Sequence, residues 1–574
     1  MDFDDLFPHI GEFGLYQKWT YFLLCIPATL TSVFTLFNSI FISATPDHWC
    51  RVPEIETVGD VLPPDVLKEL SIPKTAANDF AKCEMYDVNY TAIIFSALDA
   101  QANRQPNSSW PIRPCTHGWI YSTVDYDSTL VTQTNTVCKD AWKVSTAQSA
   151  LYAGSVVGTV LLGAIGDRYG RRMAFLITVL LSLGAGIGAT FSTTFEQYIA
   201  WRCIIGLTYP AIFQIPFIMS KEPLATCMEL MSPEKRTFSG MFVSTIYGIP
   251  FIMLAGIAYL LRDWFTVSLA TSMPFITVLV VWWFIPESPR WLLSQNRMAE
   301  AEDVVQKIAK WNGKKIPANF LQACMEQQQK LTGNKYLKEE VSLQKLASYP
   351  NLLKKVLVVT FSWTANTMVY NGLSLATSTM NISDYLSFAI SGAVEVPGVL
   401  LAWAFMDKYG RRPVMVSSML IGGLACISSV LVPSDPVWLN VSLCSLGKMS
   451  ITASFATIYV YSAELFPTVL RTFAMGIVAM TGSISLIITP HILFLGQLYS
   501  MVIPGAIFGG LSAAGGFAVL LLPETMKVHL PQTLTEGDTF GGDIHLWKCM
   551  RNSRKKTANK VWTEEDLKQN TLSF

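Results

Sequence analysis

The sequence predicts an all-α membrane protein: twelve transmembrane helices in two six-helix bundles, with one large loop after the first helix. Three observations predict it. Apolar runs long enough to cross a bilayer recur along 574 residues, of which 51% are hydrophobic and only 15% charged. A charged cluster is written twice between such runs, as "GDRYGRR" at 166–172 and "MDKYGRR" at 406–412. The stretch 43–144 is polar and carries cysteines and glycosylation sequons instead.

A hydrocarbon core about 30 Å thick is crossed by roughly 20 helical residues, because a spanning segment must satisfy its own backbone hydrogen bonds. Spans one to six are read at about 20–42, 145–165, 173–193, 197–219, 238–261 and 265–285. Spans seven to twelve are read at about 354–375, 384–405, 413–432, 437–461, 472–496 and 501–522. This divides the chain into an N-terminal segment 1–19, a first bundle 20–285 that includes the loop 43–144, a connector 286–353, a second bundle 354–522 and a tail 523–574. The first 18 residues are acidic and lack the basic start and small-residue cleavage site of a signal peptide, so they are expected to stay attached.

Orientation follows from the basic residues of the short connections, which favour the cytoplasmic side. Arg168, Arg171 and Arg172 follow span two, Lys235 and Arg236 span four, Lys408, Arg411 and Arg412 span eight, and Arg471 span ten. Both termini are therefore expected in the cytoplasm and the loop 43–144 outside. That loop holds Cys50, Cys83, Cys115 and Cys138, with sequons at Asn89 and Asn107. An even count in an oxidising compartment predicts two disulfides, with three pairings open; free thiols in a loose loop are the alternative.

The connector contains "NRMAEAEDVVQKIAKWNG" (296–313), with apolar residues at helical spacing and a glycine stop. This amphipathic helix either packs beneath the bundle or lies on lipid. The tail, basic around "RNSRKK" (551–556), is expected to be disordered and regulatory.

Each half repeats its cluster after its second span and a Pro-Glu pair after its sixth, in "PESPRW" (286–291) and "PET" (523–525). Parallel six-span halves around a site at their interface describe major-facilitator transporters. "TPDHWC" (45–50), "PCTHGWIY" (114–121), "GDRYGRR", "IPESPRWLLSQNR" (285–297), "VEVPG" (394–398), "SAELFPTVLR" (462–471) and "LLLPET" (520–525) stand in order along nearly the whole chain. In these the sequence resembles the organic cation, carnitine and organic anion transporter family of that superfamily, and within it the cation and carnitine branch.

The resemblance implies that Asp167 and Arg171 form a cytoplasmic latch favouring the outward-open state. The same reading extends to Asp407 and Arg411, and to Glu222, Glu464 and Arg471 at the ends of spans four and ten. Solvated charges that only set topology are the plainer alternative.

Charges inside spans cost about 2.5–3.5 kcal/mol each on insertion scales and persist only when compensated. Glu395 in span eight is read as the anionic wall of a substrate site and Lys448 in span ten as its partner, against a purely structural pair. Arg202 in span four is read as structural. Aromatic rings complete a cation site. By family motif these are Trp363, Tyr370 and Tyr247, with Asn371, Gln214 and Tyr459 as weaker candidates. Cation transporters of the family carry an acid about seven positions before "TP" in span eleven, and anion and carnitine members a base. Here "GSISLIITP" places Ser483 there.

Glu395 without that second carboxylate points to a small organic cation or zwitterion, carnitine-like or an amino-acid-derived amine. An organic-anion carrier is the main alternative, ahead of a transport-silent receptor or a channel. Transport at the plasma membrane by alternating access is expected, with sodium or protons as the candidate coupled ion. No nucleotide loop, HExxH, CxxC or GxSxG is present, so no enzyme, cofactor or metal is expected, and no nucleic acid partner.

Overall fold

The computed structural model describes residues 15–56, 64–74, 80–90, 110–219, 241–314, 316–317, 343–376, 382–432, 436–526 and 533–541, with isolated exceptions. Among the described residues, nine helices are long and apolar enough to cross a membrane. Helices also occupy the other three expected spans: Ile26–Ile42 in span one, Phe195–Met219 in span four and Pro350–Leu375 in span seven. Span two runs Trp142–Tyr169, beyond its apolar run at both ends. Gly170 stops it with φ of 100°, and Gly410 stops span eight with φ of 99°, a region that penalises any Cβ. The charged cluster thus ends one helix and begins the next, with the glycine as the turn between them.

Within the first half, span two packs on span four. A Cβ at Gly158 would strike the backbone of Leu207, and one at Gly206 that of Leu151, so small residues let these helices touch closely. In the second half, span nine packs on spans ten and twelve, and span seven on eleven and twelve. Spans eight and eleven are interrupted, at Val394 before Glu395–Tyr409 and before Thr489–Leu498. Pro397 lacks the N–H that would bond Ala393, which explains the first break.

The loop 43–144 forms two antiparallel ribbons. β1 (His48–Cys50) pairs with β4 (Trp119–Tyr121), and β2 (Glu84–Tyr86) with β3 (Ile112–Pro114). Disulfides join Cys50 to Cys115 and Cys83 to Cys138, choosing one of the three open pairings. Cys50, Val52, Ile72 and Met85 make a core too small to hold the loop alone. Asn89 is exposed on this loop, and Asn107 lies outside the described residues.

The connector helix Met298–Trp311 turns Ala301, Val304, Val305 and Ile308 against Leu292 and Tyr16, so its apolar face is spent on protein. Tyr16 also donates its backbone N–H to Asn312 Oδ1 at 3.1 Å. The tail departs from expectation at Leu534–Thr539, which is a short docked helix. Lys355 of span seven donates to the carbonyls of Gly537 and Phe540, and Asp538 accepts from the Leu352 N–H. The basic run 551–556 lies outside the described residues.

Candidate functional site

Glu395 opens the second helix of span eight, where free backbone N–H groups favour a carboxylate. It is 1% exposed and Lys448 2%. Their Oε1 and Nζ are 2.9 Å apart, and the Tyr370 hydroxyl donates to the same Oε1 at 2.6 Å. Lys448 Nζ also donates to Ser374 Oγ at 2.5 Å and stands 3.4 Å from the Tyr370 ring centre. At 5.5 Å it faces the ring of Phe251, which belongs to span five in the first half. The pair therefore sits where the halves meet, with charge, hydrogen bonds and aromatic faces all satisfied.

Most of the predicted aromatics gather here. Phe455 stacks on Tyr370 at 5.2 Å, and Trp363 meets Tyr459 edge-on at 4.5 Å. Tyr247 stands beside Phe251 at 6.1 Å. Asn371 accepts from the Tyr152 hydroxyl of span two at 3.4 Å, a bond between halves. Ser483 is half-buried and turns its hydroxyl back to the Ala479 carbonyl, so it makes no bond to the ion pair. Gln214 lies on span four, but its side chain is outside what the structure describes, as is Glu222 altogether.

The loop end of the interface is shut by residues that sequence reasoning missed. Phe41 stacks on Tyr385 at 5.5 Å, while Phe37 and Phe388 pack on Phe251 at 4.8 and 4.9 Å. The Tyr126 hydroxyl donates to Asp384 Oδ2 at 2.8 Å and that of Tyr385 to the Asp125 carbonyl at 2.7 Å. Tyr126→Phe removes a charge-assisted bond worth about 1.5–3 kcal/mol that exists only while this end is shut. A cysteine at Ile487, which packs against the apolar cluster that closes this end, should then react faster with an impermeant thiol reagent from the loop side. Equal rates would show that the bond does not hold the seal.

At the connector end two ion pairs join predicted latch residues, each within its own half. Asp167, 71% exposed, pairs with Arg171 at 2.6 Å on its own helix. The copy in the second half differs: Arg411 pairs with Glu464 at 3.1 Å, and Asp407 is exposed with no ion pair among the described residues. Glu464 is the less exposed carboxylate, and attraction grows as water is excluded. Arg471 stands in the first turn of span eleven.

The Pro-Glu pair supplies the residues overlooked as functional. Glu287 accepts from the backbone N–H of Arg171 at 2.9 Å and of Arg172 at 3.2 Å. Glu524 accepts from the N–H of Arg411 and of Arg412, each at 3.0 Å. Each carboxylate thus caps the helix that follows a cluster, satisfying orphan donors at its positive end. Their matched positions in the repeat were the signal. One grouping with metal-ligand spacing occurs among the described residues, His48 with Cys83 and Cys138, but those sulfurs are joined to each other.

Two helical halves that close at one end over a buried ion pair define an alternating-access membrane transporter. Residues 116–534 match the family model described as sugar (and other) transporter. The chain is 37% identical to the carcinine transporter of Drosophila melanogaster over 96% of this chain and 82% of that protein. It is 34% identical to the beta-alanine transporter of the same organism, over 97% and 92% of the two chains. With solute carrier family 22 member 2 of Homo sapiens it shares 32% over 94% and 95%. The chain belongs to the organic cation, carnitine and organic anion transporter family of the major facilitator superfamily. Among solved structures, a partially occluded inward open conformation of the xylose transporter XylE from E. coli superimposes with a TM-score of 0.56 at 15% identity, over 89% of this chain and 100% of that one. At that identity the likeness is one of fold.

Proposed function

We propose that this protein carries small organic cations or zwitterionic amines across the plasma membrane, with both termini in the cytoplasm. The observation that carries the reading is the Glu395–Lys448 pair, buried at the meeting of the halves and wrapped by Tyr370 and Phe251. Lys448 acts as a resident stand-in for substrate. An arriving ammonium takes Glu395 from it, exchanging one cation for another and sparing the cost of a bare buried carboxylate. Trp363, Tyr247 and Tyr459 offer ring faces to the ligand. The Asp167–Arg171 and Arg411–Glu464 clusters belong to a latch that crosses between halves only when the loop end opens. Substrate drives the exchange by its differential affinity for the two states. The relatives named for carcinine and beta-alanine, both amines, support this substrate class.

Uptake of a labelled panel tests it: a quaternary cation, carnitine, a biogenic amine and p-aminohippurate, with and without sodium and at two pH values. Saturable uptake of an amine or carnitine is expected, and its dependence on sodium or pH identifies the coupled ion. Uptake of p-aminohippurate alone would overturn the reading.

A further inference from the structure

Arg202 is a fully buried cation with no anion beside it among the described residues. It is 1% exposed, and among the described residues it forms no ion pair. Its Nη1 donates to the Thr35 carbonyl and to Asn38 Oδ1, both at 3.1 Å. Its Nη2 donates to Ser39 Oγ at 3.1 Å and to Gln148 Oε1 at 2.6 Å. Its Nε is buried without an acceptor among the described residues. These neutral oxygens aim the guanidinium but leave its charge uncancelled, which is costly away from water. Glu395 and Lys448 cancel one another, so of the three charges singled out within the spans Arg202 alone is left without a counter-charge among the described residues.

The surroundings suit an incoming anion. Two amides and a hydroxyl can turn aside, and a carboxylate can replace them with two parallel bonds to the planar fork. Phe37 and Phe41, which seal the loop end, flank Asn38 and Ser39 on span one. Asn38 and Ser39 fall between those two rings along the helix, so a rearrangement of span one at the seal also reaches the shell around Arg202. The cation is also joined to the amine site: Gln148 lies one turn from Tyr152 on span two, and Tyr152 bonds Asn371, the neighbour of Tyr370.

We propose that Arg202 is the carboxylate-binding pole of the transport site. The preferred substrates are then zwitterionic amines, whose ammonium goes to Glu395 and whose carboxylate goes to Arg202. This rests on the reading of Glu395 as the amine pole given above.

β-Alanylhistamine and β-alanylhistidine differ by one carboxylate and serve as matched labelled probes for uptake into cells expressing the full chain. The wild type is expected to prefer the carboxylated probe. Arg202→Gln should lower that preference at least ~10-fold, the loss of one charge-assisted contact. Because this change also removes four hydrogen bonds, Asn38→Asp supplies a second arm. It keeps Arg202 in place and gives it a resident anion, so the preference should fall again while the thermal stability of the purified protein holds or rises. An unchanged preference in Asn38→Asp, or uptake of both probes falling in proportion in Arg202→Gln, overturns the proposal and leaves Arg202 structural. A wild type that moves the amine but not the carboxylated probe overturns it too, with the amine site intact. A wild type that moves neither probe nor any amine of the panel strikes the underlying reading itself.

Discussion

Glu395→Gln is expected to raise the KM for amine uptake about 10- to 100-fold, because a charge-assisted contact to the substrate is worth about 1.5–3 kcal/mol and each 1.4 kcal/mol is tenfold. Gln keeps the shape and can still accept from Tyr370. It leaves Lys448 buried without its counter-ion, however, and breaking a buried pair costs about 3–5 kcal/mol of stability. Surface abundance must therefore be measured beside uptake. The double change Glu395→Gln with Lys448→Met removes both charges and should restore abundance without restoring amine uptake. If the double variant transports amines like the wild type, the pair is a structural clamp and the substrate contacts lie elsewhere.

Replacing Cys83 and Cys138 by serine should lower surface delivery severalfold, and replacing Cys50 and Cys115 should do likewise. The bridged residues lie 55 and 65 positions apart, and chain-entropy accounting for loops of that length yields about 4 kcal/mol per bridge. The ribbons β1–β4 and β2–β3 have three residues per strand, too little sheet to hold the loop without staples. Cys138 stands four residues before span two begins, so its bridge also ties the loop to the bundle. Surface biotinylation of each double serine variant measures the effect. Normal delivery, together with a melting temperature insensitive to reductant, would show that packing alone suffices.

The spans were legible because lipid demands about 20 apolar residues wherever a helix crosses, and that demand is local. Their ends were less so. Span two outruns its apolar segment because helix continues through Asp167, Arg168 and Tyr169 until Gly170 turns. Glu395 and Lys448 could be singled out by the expense of a charge in a span, but their bond joins residues 53 positions apart (448 less 395) on different helices. Nothing local marked Tyr126, Asp384 or Tyr385, which are ordinary in a polar loop or at a helix start and become a seal only through contacts 258 and 260 residues apart in sequence.

The two charged clusters show where nearly identical text parts company. "DRYGRR" and "DKYGRR" specify the same turn, and both glycines adopt the same φ. Yet Arg171 turns to Asp167, whereas Arg411 turns to Glu464. The tail differs likewise: its polar composition predicted disorder, but Lys355 offers donors that hold Leu534–Thr539 in place.

Local composition was enough to mark twelve apolar segments, the duplication of the charged cluster, the even set of loop cysteines and the three charges that lipid would not otherwise tolerate. Long-range packing set which cysteines join, which carboxylate Arg171 and Arg411 take, what seals the loop end, and that Arg202 meets neutral acceptors. The division has one physical cause. Partition between lipid and water acts on each segment alone, whereas hydrogen bonds and ion pairs act over about 3 Å and depend on which distant segments packing brings together.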